Sequence, residues 1–366
     1  MGTLQNRIRR ALGRIFRVAA VGPGRLSVGE VALPHRVTVE NTHRCNLRCP
    51  FCLHTLHQGP SPSMSAELFD SLARDAFPSA REVGLSVTGE PMLSPRFDEE
   101  CRKIADSGAR LVTYTNGTKL ASALESEDFR RAVGGLFVSL DGARAETFDP
   151  IRPPGGFDEI VRGIRAYDRW RRTREPRPGL ELVIVLQQAN IREIEEWVRL
   201  AADLGADRIA ASHLVAHTPE QRVESLANSP EGRACSDEFL TKAKDVALEI
   251  GIPAEFPDPF GARKPLPPTP ADPPGSSNVR ICDLPWSESW VSASGDVYPC
   301  CFPDKVPSMG NIADGGFRDV WNGADYRDWR SRLESASPPE PCRTCHLARS
   351  APDARFDILR ETAGAS

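Results

Sequence analysis

The sequence predicts an α/β fold: a partial (β/α)6 TIM-like barrel followed by a small cysteine-rich domain. From residue 35 onward, short β-rich runs alternate with amphipathic helical stretches, as in a parallel sheet with crossover helices. Six such strands suit an open partial barrel better than a closed eightfold one. A stretch rich in Pro, Gly, Ser and Ala between residues 257 and 277 then separates this region from a segment holding five cysteines.

Composition excludes several classes of protein. The 366 residues are 40% hydrophobic and 26% charged, which is ordinary for a globular protein and excludes disordered and fibrous chains. The formal net charge of −4 gives no reason to expect a nucleic-acid partner. No apolar run is long enough for a transmembrane segment, and no secretory signal is present, so we expect a cytoplasmic protein. Ten cysteines are unusual in a cytoplasmic protein unless they hold metal.

Five regions follow from these shifts in composition. Basic and apolar residues interleave over residues 1–27, which predicts an amphipathic N-terminal helix. The barrel is expected over 28–256, the Pro-rich linker over 257–277, the cysteine-rich domain over 278–350 and a tail over 351–366. A domain as small as the cysteine-rich one has little core of its own, so a bound metal is a natural way to stabilise it.

The predicted strands carry the expected chemistry at their C-terminal ends. They run from Arg36 to Glu40, Glu82 to Thr88, Arg110 to Thr115, Gly135 to Leu140, Leu180 to Leu186 and Arg208 to Ser212. The clearest helix between them extends from Ile191 to Leu204, with its apolar residues on one face and Gly205 at its end.

The first group of cysteines lies in the loop after the first strand. Cys45, Cys49 and Cys52 lie within eight consecutive residues. Three thiolates do not complete a tetrahedral zinc site, and no His stands at the usual finger spacing. They suit three irons of a cubane cluster whose fourth iron stays open to a chelating ligand.

With the aromatic Phe51 before the third cysteine, this CxxxCxΦC loop resembles the signature of the radical S-adenosylmethionine (SAM) superfamily. The resemblance implies that SAM binds the open iron through its amino and carboxylate groups. An electron from the cluster then cleaves SAM to a 5′-deoxyadenosyl radical that abstracts a substrate hydrogen. A zinc-bound loop or a set of core cysteines is the alternative.

Further strand ends extend the resemblance. Thr88-Gly89-Glu90-Pro91 is similar to the GGEP motif of the family, with Thr in place of the first Gly, and implies that Gly89, Glu90 and Pro91 hold the SAM ammonium. A plain strand-end turn is the alternative. The remaining implied SAM contacts are Asn116, Ser139, Asp141, Arg152, Gln187 and Asn190. Arg152 is expected to pair with the SAM carboxylate. His213, at the end of the sixth strand, is a tentative catalytic residue, although a lone His is more often structural.

The second group of cysteines is spread over the C-terminal domain. Cys282, Cys300, Cys342 and Cys345 stand at intervals of 18, 42 and 3 residues, and the surrounding sequence resembles the SPASM and shorter twitch extensions of radical SAM enzymes. Five cysteines favour one auxiliary [4Fe–4S] cluster, and four thiolates saturate its irons, which favours electron transfer or a structural role. A zinc ribbon is the alternative. Cys301 is a second candidate for the ligand position of Cys300.

The resemblance implies an enzyme with two [4Fe–4S] clusters and SAM, and an electron donor such as flavodoxin or ferredoxin. The reaction expected first is oxidation of a secondary alcohol of a sugar or aminocyclitol, as in antibiotic biosynthesis. The second is epimerisation of a sugar carbon, with Cys235 or Cys301 as hydrogen donor. Modification of a ribosomal peptide and a zinc-stabilised binding protein without turnover are the further alternatives.

Overall fold

The six predicted strands are present and form consecutive parallel neighbours in one sheet. The computed structural model describes residues 31–56, 59–86, 88–260, 280–335, 338–343, 345 and 349–350. The strands are β1 (Arg36–Val39), β2 (Glu82–Gly84), β3 (Arg110–Thr115), β4 (Val133–Ser139), β5 (Gly179–Leu186) and β6 (Arg208–His213). The parallel pairing in chain order confirms the predicted α/β fold. Only β2 is markedly shorter than predicted, because the bonds between β3 and the residues after Gly84 involve the side-chain hydroxyls of Thr113 and Ser86 in place of backbone carbonyls.

Short strands extend this sheet at both edges. β7 (Ala254–Glu255) pairs in parallel with β6, and β9 (Glu288–Val291) pairs in parallel with β1. β10 (Val297–Tyr298) runs antiparallel to β9, so the sheet has the order β10-β9-β1-β2-β3-β4-β5-β6-β7 over the described residues. The C-terminal domain therefore continues the barrel sheet. β8 (Arg280–Ile281) and β11 (Arg349–Ser350) form a separate antiparallel pair.

Helices follow most strands. Those of the barrel region are α1 (Leu53–Leu56), α2 (Ala66–Asp75), α3 (Phe97–Asp106), α4 (Leu120–Ala123), α5 (Glu127–Ala132), α6 (Ala145–Ile151), α7 (Phe157–Arg171), α8 (Ile194–Asp203), α9 (Pro219–Glu224) and α10 (Pro230–Ile250). Those of the C-terminal domain are α11 (Leu284–Ser287), α12 (Phe317–Trp321), α13 (Ala324–Leu333) and α14 (Glu340–Arg343). The predicted helix over 191–204 is present as a 3₁₀ turn over 191–193 followed by α8.

The core lies between the sheet and the helices on its outer side. In β5, Leu180, Leu182, Ile184 and Leu186 belong to this core. Because side chains alternate across a strand, Glu181 points to the opposite, inner face of the curved sheet. The inner face is therefore where polar side chains of the strands are presented.

Hydrogen bonds fasten the segment before β1 to the C-terminal domain. Trp321 donates its indole N–H to the Ala32 carbonyl at 3.0 Å, and the Asn322 side chain bonds both the amide and the carbonyl of Val31. The fully buried guanidinium of Arg330 lies 4.4 Å from the ring of Trp321 and donates to its carbonyl. Aromatic and hydrogen-bonded contacts thus join the small domain to the start of the barrel.

Several sequence predictions lie outside the described residues: the amphipathic helix over 1–27, most of the linker over 257–277 and the tail over 351–366. Within the part of the chain that the structure describes, no helix is both long enough and apolar enough to cross a bilayer.

Candidate active site

The three N-terminal cysteines lie together on the loop after β1. The Cys52 amide donates to the Cys49 carbonyl at 3.0 Å, and the Arg48 amide donates to the Pro153 carbonyl at 2.7 Å, which ties the loop to the loop after α6. Burial raises the pKa of Cys49 to about 11 and also raises that of Cys45, with smaller contributions from neighbouring charged groups. Free thiols here are thus protonated near neutral pH, and metal binding would displace their protons.

Gly89 lets the GGEP-like turn lie directly against the cysteine loop. A Cβ atom at this position would lie 2.3 Å from the Thr42 carbonyl oxygen and 2.7 Å from that of Arg44. The adjacent Glu90 amide donates to the same Arg44 carbonyl at 2.8 Å. Only glycine permits this close approach.

Glu90 is a buried carboxylate held by three donors. It accepts hydrogen bonds from the Met92 amide at 3.2 Å, the Thr115 hydroxyl at 2.8 Å and the Asn116 amide at 2.6 Å. Burial raises its pKa to about 7 despite these bonds. Oε2 accepts from Asn116 alone in the described structure, which leaves a lone pair for an ammonium donor. Pro91 is buried and begins the 3₁₀ turn that follows.

Arg152 and Asp141 form a buried ion pair, which differs from the independent SAM contacts that the sequence implied. Arg152 Nε donates to Asp141 Oδ2 at 2.6 Å, and its guanidinium lies 5.5 Å from the Phe51 ring. Asp141 Oδ1 accepts from the Val185 amide at 2.7 Å. The guanidinium faces Cys49, whose pKa it lowers, so it lies beside the cysteine loop.

Asn190 and Gln187 have different roles. The side-chain Nδ2 of Asn190 donates to the backbone carbonyls of Asp141 and Val185, and its Oδ1 accepts from the backbone N–H of Gln187. These bonds fix the end of β5. This corrects its expected direct contact with the nucleoside to a positioning role. Gln187 Nε2, by contrast, is buried and has no hydrogen-bond partner among the described residues. An unpaired buried donor of this kind fits an acceptor atom of a ligand. Ser139 is half-buried at the C-terminal end of β4.

These observations fit a cluster with bound SAM at the C-terminal end of the sheet. One loop presents three thiols, and the buried carboxylate of Glu90 and the buried guanidinium of Arg152 lie beside that loop. The unpaired side-chain amide of Gln187 lies at the end of β5. In the described part of the chain, no three His, Cys, Asp or Glu side chains converge on a position for a single metal ion. A cubane takes one thiolate on each of three irons, so a set of three thiols suits a cluster better than a tetrahedral zinc site.

The C-terminal cysteines form a second group. Burial raises the pKa of Cys282 and of Cys342 to about 12. The thiols of Cys300 and Cys342 contribute to the shift of Cys282. The thiols of Cys300 and Cys345 contribute to the shift of Cys342. The Cys301 thiol is hydrogen-bonded to that of Cys300, and this bond together with burial raises its pKa. Cys300 therefore lies near both Cys282 and Cys342, and Cys301 is in contact with Cys300.

His213 and Cys235 do not lie where the sequence suggested. His213 Nε2 lies 2.8 Å from the Ser236 hydroxyl of α10, and its ring lies 4.5 Å from that of Phe260. Cys235 lies within α10 and packs partly buried against the core. Because α10 packs on α8 at the outer side of the sheet, neither side chain is directed into the barrel, and this corrects their expected catalytic placement.

Sequence reasoning missed a polar and aromatic group on the inner face of the barrel. Tyr114 is 45% exposed, and its ring stacks on that of Phe137 at 4.4 Å. Glu181 of β5 pairs in register with Phe137. The alternation of side chains along β3 and β5 was the signal for this group, because it places these residues opposite the core positions.

Two parts of the chain match models of known protein families. The radical SAM superfamily model matches residues 39–200, and an iron–sulfur cluster-binding domain model, SPASM, matches residues 282–346. A tungsten-containing aldehyde ferredoxin oxidoreductase cofactor-modifying protein of Pyrococcus furiosus is 30% identical over 330 residues, which cover 84% of this chain and 86% of the relative. A PqqA peptide cyclase of Rhizobium meliloti is 24% identical over 325 residues, covering 85% and 79%.

The fold is also similar to a solved structure. Streptococcus suis SuiB, bound to the precursor peptide SuiA, superposes with a TM-score of 0.62 at 14% identity, covering 94% of this chain and 80% of that chain. At this identity the likeness concerns the fold.

Proposed function

Since the chain belongs to the radical SAM superfamily and carries a C-terminal SPASM domain, we propose that it modifies a peptide by abstracting a hydrogen atom from it. Membership implies [4Fe–4S] clusters and SAM as cofactors. The observation that carries the enzymatic part is the arrangement of three thiols, Glu90, Arg152 and Gln187 around one end of the sheet.

Each side chain has a role that follows from its surroundings. Cys45, Cys49 and Cys52 would hold the first cluster. When bound, that cluster and SAM supply the electron and the 5′-deoxyadenosyl radical that removes the substrate hydrogen. Glu90, fixed by three donors, would accept a hydrogen bond from the SAM ammonium without moving. Gln187 would donate from Nε2 to an acceptor of the nucleoside.

Arg152 would act beside the carboxylate of SAM. Its Nε is already occupied by Asp141, which fixes the plane of the guanidinium. The remaining N–H groups point away from that bond in the fork typical of Arg, which suits a second carboxylate. A buried pair of this kind keeps its cation in place at the cost of desolvation.

Cys282, Cys300, Cys342 and Cys345 would hold the auxiliary cluster. Four thiolates saturate four irons, so the substrate has no open iron to bind there. The β9–β10 hairpin that precedes Cys300 continues the barrel sheet beside β1, which brings the domain next to the barrel interior. A cluster that takes up an electron from the substrate radical would suit this location.

The peptide substrate is supported by the PqqA peptide cyclase, which aligns over 85% of this chain. No relative described above supports the oxidation of sugar alcohols or the epimerisation that the sequence predicted first. The barrel interior offers room for a side chain, since Tyr114 is 45% exposed although it lies in a strand at the middle of the sheet.

Deuterium transfer tests the proposal without knowledge of the peptide sequence. Anaerobically reconstituted enzyme, SAM and a reductant are incubated with a random peptide library made from perdeuterated amino acids, or with perdeuterated sugars and aminocyclitols. We expect deuterium in 5′-deoxyadenosine with the peptides only, as measured by mass spectrometry. Deuterium transfer from the sugars or aminocyclitols alone would contradict the peptide substrate and favour alcohol oxidation or epimerisation. A variant with Cys45, Cys49 and Cys52 all changed to Ala is the control and should form no 5′-deoxyadenosine.

A further inference from the structure

The inner face of the barrel carries a row of side chains below the candidate SAM site. The strand registers place Tyr114 beside Phe137, Phe137 beside Glu181, and Glu181 beside Arg208. Tyr114 directly precedes Thr115, whose hydroxyl binds Glu90. The row therefore begins two residues before Asn116, a predicted SAM contact, and extends across the inner face of the sheet.

The aromatic pair at one end of this row is accessible. The rings of Tyr114 and Phe137 are stacked, with 4.4 Å between centroids and 13° between planes. Phe137 is 4% exposed, whereas Tyr114 is 45% exposed, so the face of the Tyr114 ring that does not stack on Phe137 is accessible. The charges acting on Tyr114 come from Glu181, Arg36, Glu255 and Cys301. Because Arg36 lies on β1 and Glu255 on β7, the sheet curls around this ring.

Glu181 is the second component. It is 8% exposed and faces the interior, and within the described part of the chain its carboxylate accepts no hydrogen bond. Its nearest cation is Arg208, with Nε 3.8 Å from Glu181 Oε2, and that guanidinium also donates to Glu255. The guanidinium of Arg208 is thus the shared counter-ion of two carboxylates. A buried carboxylate without a hydrogen bond is costly unless a ligand supplies a donor.

We propose that Glu181 and the face of Tyr114 form a subsite for a cationic side chain of the substrate, so that the enzyme selects peptides with a Lys or Arg near the modified residue. The inference rests on the proposed peptide substrate and adds its charge. A cation between an aromatic face and a carboxylate gains cation–π attraction together with a charge-assisted hydrogen bond. The net negative charge around Arg208 favours a cation over an anion.

The reach of a peptide fits this arrangement. Val185, whose amide binds Asp141, marks the SAM end of β5, and Glu181 lies four residues below it, or about 13 Å along the strand. An extended peptide covers about 3.3–3.6 Å per residue. The basic residue is therefore expected within about four positions of the modified one.

The pH dependence of binding follows from the burial of Glu181. Burial raises its pKa to about 7, against the opposing effect of Arg208 and with a further contribution from Glu255. The remaining group facing it, Tyr114, has a pKa raised to about 12 and stays neutral. A cation binds the ionised carboxylate, so the affinity for basic peptides should rise as the pH increases through about 7.

Selection from a displayed library tests the subsite. Reconstituted wild-type enzyme with SAM is incubated with an mRNA-displayed library of randomised twelve-residue peptides, and bound sequences are compared with the input. Wild type should enrich Lys and Arg, and Glu181→Gln should reduce that enrichment about ten-fold while it still binds peptides. Tyr114→Leu should weaken the enrichment, and Tyr114→Phe should retain it because the ring remains. Glu249→Gln, an exposed carboxylate on α10, is the matched control and should match wild type.

The outcomes separate this inference from the proposed function. Bound peptides without basic enrichment, or a Glu181→Gln variant that keeps the enrichment, would overturn the cationic subsite and leave the peptide substrate intact. No bound peptide above background would overturn the peptide substrate and this subsite together. Cleavage of SAM by Glu181→Gln at the wild-type rate would show that the variant is folded.

Discussion

The two groups of thiols differ in how the chain builds them. Cys45, Cys49 and Cys52 stand within eight residues on one loop, directly after a parallel strand. Cys282, Cys300, Cys342 and Cys345 are spread over 64 residues of a small domain with short elements. The first group meets Glu90, Arg152 and Asp141, which are buried, whereas the charged neighbours of the second group, Asp283 and Arg332, are half-buried and exposed, respectively.

This difference indicates what each group does. A compact set of three thiols beside a fixed carboxylate and guanidinium is suited to a cluster that also binds a small zwitterion. A dispersed set of four thiols closes its cluster and joins distant parts of the chain, as structural metal sites do. We therefore propose cofactor chemistry for the loop after β1, and electron relay and stabilisation for the C-terminal domain.

Removing the first group should have the largest effect. Changing Cys45, Cys49 and Cys52 together to Ala should abolish SAM cleavage and lower the iron content from about eight to about four per chain, since each cubane holds four irons. Formation of 5′-deoxyadenosine and iron analysis of anaerobically reconstituted protein measure both. Retained SAM cleavage would mean that the two groups do not differ in function.

Removing the second group should stop product formation but leave SAM cleavage. Changing Cys342 and Cys345 together to Ala removes two of the four thiolates and should also bring iron to about four per chain. We expect 5′-deoxyadenosine still to form, because the loop after β1 is intact. If this variant loses SAM cleavage while the other cluster remains, the C-terminal group takes part in SAM chemistry.

Glu90→Gln should weaken SAM binding about ten-fold or more. The change removes the charge from a carboxylate expected to bind an ammonium, and hydrogen bonds to charged groups are worth roughly 1.5–3 kcal/mol, where 1.4 kcal/mol is a factor of ten. Glu100→Gln is the matched control, since Glu100 is equally buried and is bound by Asn41 and Ser94. Equal SAM dissociation constants for the two variants, by calorimetry, would place the ammonium elsewhere.

The smallest effect is expected from Cys301. Because Cys282 and Cys342 both have Cys300 and not Cys301 as a neighbouring thiol, Cys301→Ala should keep the full iron content, whereas Cys300→Ala should lose auxiliary iron. Iron analysis with absorbance near 400 nm compares the two variants. The opposite pattern would exchange the ligand assignment of these neighbouring residues.

The sequence predicted the features that depend on local pattern. The positions of β1, β3 and β6 and the gathering of chemistry at strand ends follow from hydrophobic alternation and from the cysteine spacing. The pairing of strands from distant segments could not be predicted from local sequence pattern. Nothing in residues 288–291 indicates that β9 adds to β1 in parallel, because that pairing depends on the packing of the whole C-terminal domain.

Side-chain partners were also beyond local pattern. Arg152 and Asp141 were each expected to bind SAM, but the buried cation required a carboxylate and found it eleven residues away. His213 was expected to face the barrel, yet the alternation along β6 turns it toward Ser236 of α10. Glu181 was overlooked because a single Glu within an apolar strand resembles an ordinary irregularity of the pattern.

The most direct test of the contrast between the two groups is electron paramagnetic resonance of reduced, single-cluster variants before and after addition of SAM. The variant that lacks Cys342 and Cys345 retains only the cluster of the loop after β1, and its spectrum should change when SAM binds the open iron. The variant that lacks Cys45, Cys49 and Cys52 retains only the C-terminal cluster, and its spectrum should stay the same. A SAM-dependent change in the second variant and none in the first would contradict the account.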